Sequence, residues 1–355
     1  MPSTSYITAL RFPLAVLVVF IHNSYTYISP SSWASSVGYL GSRLLPAVAV
    51  PLFFCISGYL FFLNTERFTP HVYLNKLHRR CYTLLIPFIA WNLIAFGLTP
   101  LKQLLGSSEV AMALSPNIFW GCRTNGSEGY NWLGWFIEAS TAPAQLPLWF
   151  VRDLIVISLC SPIIWFLLHK AGKFGLLLPA ILYYGQLWPN LGGLSITGFW
   201  FFSLGAWFSI QRIDVVTLSS RLSRWLCLPM LIALLLPLYL PPETQAWATL
   251  SQSVYVLLAM PCAITLAQRF SLSHTPSRFW ADSCFFVYAS HTILLFPLLT
   301  LLKQHATTLS PTLQIGCYLL CPLLVIGLCL AGFGVLRKVL PHHSWWLTAT
   351  GRRTR

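Results

Sequence analysis

The chain has 355 residues, of which 56% are hydrophobic and only 8% charged, with a mean hydropathy of +0.68. A soluble domain carries roughly a quarter charged residues, so this composition excludes a soluble or secreted enzyme. The excess of 22 Lys and Arg over 8 Asp and Glu, a formal charge of +14, reads as the basic loops of a membrane protein meeting anionic lipid and not as a nucleic-acid footprint.

Long apolar runs bounded by charge or by Pro and Gly predict an all-α membrane protein of about ten transmembrane helices. The runs cover about 7–28, 44–63, 82–98, 146–168, 174–189, 196–210, 225–241, 247–268, 283–302 and 312–336. The fifth and sixth are short. Pro51, Pro87 and Pro162 are among several prolines inside spans, where a helix bundle tolerates them. Arg11 within the first run, with no clean small-residue cleavage site after it, predicts a first membrane helix and not a signal peptide. The longest loop, about 99–145, carries the aromatic stretch GYNWLGWF (Gly129–Phe136), suited to the interface plane. At the other end, HHSWWL followed by GRRTR reads as an interfacial anchor. The expected organisation is therefore one membrane domain over 1–340 and a basic, aromatic tail over 341–355.

Charge gives an independent check on these spans. Sixteen of the 22 cations fall in alternate segments, from Arg67 to Arg355, whereas the intervening segments hold only Arg43, Lys102, Arg123 and Lys303. The positive-inside rule then places both termini in the cytoplasm and makes the chain a multi-pass protein of the plasma (bacterial inner) membrane. No internal repeat is visible, which counts against transporters built from two similar halves. The ten cysteines are scattered without a CxxC, so neither a disulfide framework nor a metal site is expected; Cys122 alone falls in a long outer loop.

An ionisable group inside the bilayer costs about 2.5–3.5 kcal/mol on insertion scales, so each one needs a reason. Arg11 and His22 are eleven residues apart, which returns to nearly the same helix face about three turns, roughly 16 Å, away. Snorkelling of the Arg and a histidine satisfied by a neighbouring helix is the plainer alternative. In PLFFCISGYLF (Pro51–Phe61), Gly58 permits close helix approach, and Ser57 lacks any nucleophile-elbow context. Lys76, Arg79 and Arg80 in KLHRRC sit at the expected inner mouth of the third span. Their spacing lets three cations converge on a phosphate group, although such a cluster also sets topology. In LWFVRDL (Leu148–Leu154), Arg152 lies at the outer start of the fourth span, where an ion pair with Asp153 is the structural alternative. Tyr288 and His291, three residues apart in the ninth span, share a face and form a plausible proton-handling pair.

Arg-x10-His, PLFFCISGYLF, KLHRR, LWFVRDL and FVYASH (Phe286–His291) together, in this order over nearly the whole chain, resemble acyltransferase family 3 of integral membrane proteins. The resemblance implies ten membrane helices and transfer of an acyl group, often acetyl from acetyl-CoA, to a hydroxyl of an envelope glycan or lipid-linked sugar. It carries the family's essential Arg and His onto Arg11 and His22. The basic motif departs from the common Arg-x-x-Arg, offering Lys76-x-x-Arg79 followed by Arg80. Many members append an extracytoplasmic esterase-like domain; none is visible here, so the membrane part or a partner is expected to complete the transfer. On this reading Lys76, Arg79 and Arg80 hold the CoA phosphates, His22 acts as general base or transient acyl carrier, and Arg152 stabilises an oxyanion or orients the sugar. The alternative function is a transporter or flippase of an anionic solute or lipid-linked glycan. It is disfavoured because Asp153 is nearly the only acid within the spans. An inactive scaffold in an envelope complex is the third reading.

Overall fold

The computed structural model describes residues 5–28, 33–100, 117–120, 142–188, 192–273, 278–341 and 344–350. The aromatic stretch Gly129–Phe136, Cys122 and the final GRRTR lie outside these residues. Among the described residues the regular structure is all helical, joined by short turns, with no strand. Eight helical stretches are long and apolar enough to cross a membrane: Ser5–His22, Trp33–Phe62, Pro70–Gly97, Ser161–Tyr184, Val215–Leu238, Gln245–Ser271, Arg278–His305 and Pro311–Val339.

The multi-span helical architecture expected from hydropathy is therefore present, and the boundaries differ in informative ways. Two of the ten expected spans, the fourth and the sixth, are short helices, Trp149–Leu159 and Ile196–Ile210. Fifteen residues rise only about 22 Å, less than the ~30 Å hydrocarbon core. The expected fourth span, 146–168, breaks at Cys160: Pro162 opens the next helix, where a residue without an N–H costs nothing. The second span starts earlier than its apolar run. A helix (α2, Trp33–Tyr39) passes through a π turn (Leu40–Leu44) and a 3₁₀ turn (Leu45–Val48) into α3 (Ala49–Phe62). The third also starts earlier, because the KLHRR run is itself helical: α4 (Pro70–Arg80) continues through a π turn (Cys81–Leu85) into α5 (Ile86–Gly97). Thr69 caps α4 by accepting the Val72 N–H at 3.3 Å, and Pro70 occupies its first turn.

The chain divides into two compact units, Met1–Phe53 with Asp214–Leu336, and Phe54–Ile213 with Arg337–Arg355. In the first, α1 (Ser5–His22) packs against the long helices further along the chain. Val19 joins Val287, Leu295, Cys321 and Val325 in a buried apolar cluster, and the Cys284 thiol donates to the Arg11 carbonyl at 3.1 Å.

In the second unit, the remainder of α3 packs against the short helix Ile196–Ile210 at backbone contact. A Cβ on Gly58 would collide with the Phe202 carbonyl, and one on Gly205 with the Cys55 carbonyl. Only glycine permits this approach, which is the role read for Gly58 from its bulky surroundings. Phe201 and Phe202 are fully buried in this packing. That burial explains why so short an apolar helix is stable: its face is covered by protein.

Candidate active site

The first unit brings His22 and His291 together. His22 is the last residue of α1, and His291 sits in the middle of Arg278–His305; their rings are 5.3 Å apart, centroid to centroid, and tilted by 43°. His291 is completely buried, and its Nδ1 lies 2.8 Å from the Tyr288 carbonyl and 3.2 Å from that of Val287. Carbonyls only accept, so Nδ1 carries a proton, and in the neutral ring Nε2 then presents a lone pair. That Nε2 is buried without a hydrogen-bond partner among the described residues. An unsatisfied buried acceptor costs about 1–3 kcal/mol, which makes it a candidate for a role that needs a bare imidazole nitrogen. His291 thus meets Tyr288 through the Tyr288 backbone carbonyl. Arg11 shares α1 with His22, and its side chain is exposed.

The end of α1 is pinned beside His22. Asn23, fully buried, donates from Nδ2 to the Tyr318 carbonyl at 2.9 Å, and its own carbonyl accepts the Ser42 hydroxyl at 2.6 Å. Ser42 Oγ also meets the Tyr318 hydroxyl at 2.7 Å. Asn23 Oδ1 is a second buried acceptor without a partner among the described residues. This network ties the His22 end of α1 to the π turn that carries Ser42 and Arg43. In the sequence Arg43 lies one residue before an apolar run, as a loop cation would, whereas the structure places it within this helical stretch.

In the second unit, the three cations of α4 do different things. Lys76 Nζ donates to the Phe61 carbonyl, and Arg80 Nη2 to that of Ser57 at 3.3 Å. Both charges also lie over the Phe61 ring, at 5.4 and 5.5 Å from its centroid. Phe61 belongs to the last turn of α3, whose carbonyls lack intrahelical donors, and cations there also offset the negative end of the helix dipole. Arg79 is exposed, and its guanidinium has no hydrogen bond or ion pair among the described residues. Of the three cations, two are seated on α3 and the third is exposed.

Arg152 is 5% exposed and its neighbour Asp153 1%. Arg152 Nε and Nη2 both reach Asp153 Oδ1 at 3.1 Å, and Nη1 donates to the Trp120 carbonyl at 2.6 Å. Asp153 Oδ2 accepts the Ser195 N–H at 3.1 Å, while the Ser195 hydroxyl caps Ile196–Ile210 by accepting the Gly198 N–H. Arg152 and Asp153 thus form an ion pair, and through Ser195 it joins the two short helices.

A family described as an acyltransferase domain, acyltransferase family 3, matches residues 4–347. The chain belongs to acyltransferase family 3. A curated relative, "Succinoglycan biosynthesis protein ExoH" of Rhizobium meliloti (strain 1021), is 23% identical over 365 residues, covering 98% of this chain and 92% of its own length. No solved structure matches. As a member of acyltransferase family 3, with long apolar helices through both units, the chain is a multi-pass membrane acyltransferase. Among its described residues no group of three or more His, Cys, Asp or Glu gathers to hold a metal ion.

Proposed function

We propose that this acyltransferase moves an acyl group, acetyl in the first instance, from cytosolic acetyl-CoA to a hydroxyl of an envelope polysaccharide or lipid-linked sugar. It does so from the bacterial inner membrane, with both termini cytoplasmic. The observation that carries the proposal is the His22–His291 pair: a half-buried imidazole at a helix end beside a second ring that offers a bare nitrogen. Abstracting a hydroxyl proton needs such a base, and imidazole serves near neutral pH. A relative named for succinoglycan biosynthesis supports a glycan acceptor. The charge asymmetry of the loops supports the topology.

On this reading His22 takes the proton of the acceptor hydroxyl, and His291, held by its Nδ1, orients His22 and shares the proton. Tyr288 holds His291 in that tautomer through its carbonyl, and Arg11 marks the donor side of the same helix. Arg79 binds CoA phosphate, with Lys76 and Arg80 contributing positive potential from their seats on α3. Arg152 positions the second unit's short helices through Asp153.

Purified protein given acetyl-CoA, with and without a glycan acceptor, tests the proposal. The expected result is acceptor-dependent thiol release and an acceptor heavier by one acetyl group, both abolished in His22→Ala. A folded His22→Ala enzyme that still acylates its acceptor overturns the base assignment. Glycan movement across the membrane without thiol release would identify a flippase instead.

A further inference from the structure

The bilayer-embedded site needs a positive group at the reacting carbonyl, and neither arginine singled out from the sequence fits that task well. Arg11 is eleven residues from His22 along one helix, about 16 Å at ~1.5 Å per residue, too far to touch the same atom. Arg152 already spends its guanidinium on Asp153 and the Trp120 carbonyl. Arg43 is differently placed. It sits on the π turn Leu40–Leu44, an insertion of one residue into helical register of the kind that recurs at functional sites.

That turn is clamped on several sides. The Ser42 hydroxyl donates to the Asn23 carbonyl, so the residue before Arg43 is bonded to the residue after His22. Gln252 Nε2 donates to the Arg43 carbonyl at 2.8 Å, and the Tyr255 hydroxyl to the Leu45 carbonyl at 2.8 Å. Gly41 is closed against the Tyr318 hydroxyl, where a Cβ would sit 2.6 Å away. The backbone is thereby fixed while the Arg43 side chain stays exposed, with no hydrogen bond or ion pair to its guanidinium among the described residues. Its charge lies within electrostatic reach of the His22 ring and of Tyr39.

We propose that Arg43 is a catalytic residue of the acyl transfer, its guanidinium stabilising the oxyanion that forms on the acyl carbonyl beside His22. The inference rests on the acyl-transfer reading above and adds the residue that receives the negative charge. In the step, the acceptor oxygen bonds to the thioester carbonyl carbon, its proton passes to His22, and the carbonyl π pair moves onto oxygen, where Arg43 faces it. Collapse of that intermediate restores the carbonyl and breaks the C–S bond. The thiolate leaves with the proton from His22, so the enzyme returns to its starting state.

The full-length enzyme in detergent, assayed for thiol release and acceptor acylation with acetyl-CoA, provides the test. Removal of an oxyanion donor typically lowers kcat by about 10²–10³-fold, so Arg43→Gln is expected to lose that much with the KM for acetyl-CoA little changed. Arg43→Lys is expected to retain more activity than Arg43→Gln, and added guanidinium chloride at low concentration to restore part of the Arg43→Ala rate. Wild-type activity in folded Arg43→Gln overturns the proposal. So does a loss that neither Lys nor guanidinium repairs, which assigns Arg43 a purely structural part. If the wild-type enzyme itself releases no thiol, it is the acyl-transfer reading that fails, and the Arg43 assignment falls with it.

Discussion

The imidazole of His291 is held 2.8 Å from the Tyr288 carbonyl while its ring lies 5.3 Å from that of His22. A side chain anchored at one nitrogen and bare at the other is oriented for work at the bare one. Replacing it with Asn, which can still donate to the carbonyls, is expected to preserve the fold. Acylation is expected to fall by about 10²–10⁴-fold, the usual contribution of positioned acid–base groups. Steady-state rates on His291→Asn, alongside a melting curve, check this; full activity in the variant would remove His291 from the proton path.

The cations of α4 separate into donor binding and helix capping. Arg79 is exposed and unengaged among the described residues, so Arg79→Ala is expected to raise the KM for acetyl-CoA several-fold with little change in thermal stability. Lys76 sits on the last-turn carbonyl of Phe61, and Arg80 on the Ser57 carbonyl and the Phe61 ring. Removing Lys76 is expected to lower stability by about 0.3–1 kcal/mol through the lost helix-end interaction, with Arg80 losing a comparable cation–π contact. Donor titration and thermal unfolding on the three single variants distinguish the roles. Equal KM effects at all three positions would support the convergent phosphate clamp instead.

Breaking a buried ion pair leaves an uncompensated charge, whereas replacing both partners does not. Asp153→Ala is expected to destabilise the protein by about 3–5 kcal/mol, seen as a markedly lower melting temperature in detergent. The double variant Arg152→Met, Asp153→Leu is expected to recover much of that loss. If Asp153→Ala melts like the wild-type protein, the pair does not hold the short helices together.

The sites differ in how much of them local sequence reveals. Arg11 and His22 fall on one helix because an apolar run and a spacing of eleven are both local facts. Gly58 stands out for the same reason, a small residue among bulky ones. Arg43 does not stand out: the apolar run starts just after it, and only the helical stretch Trp33–Phe62 places it inside a span. The bonds around it come from Asn23, Gln252 and Tyr318, and no pattern near residue 43 announces those partners.

By itself the sequence determined that this protein is a helical membrane bundle and which few polar residues lie within it. Hydropathy and charge act through each segment's own contact with lipid and water, without reference to other segments. Tertiary structure alone decided what those residues face. It set His22 beside His291, turned Lys76 and Arg80 onto the end of α3, paired Arg152 with Asp153 and the Trp120 carbonyl, and left the Arg43 side chain exposed. The physical reason is that a polar side chain inside a bundle takes the partners that helix packing brings within about 3 Å, and packing depends on contacts between residues far apart in the chain.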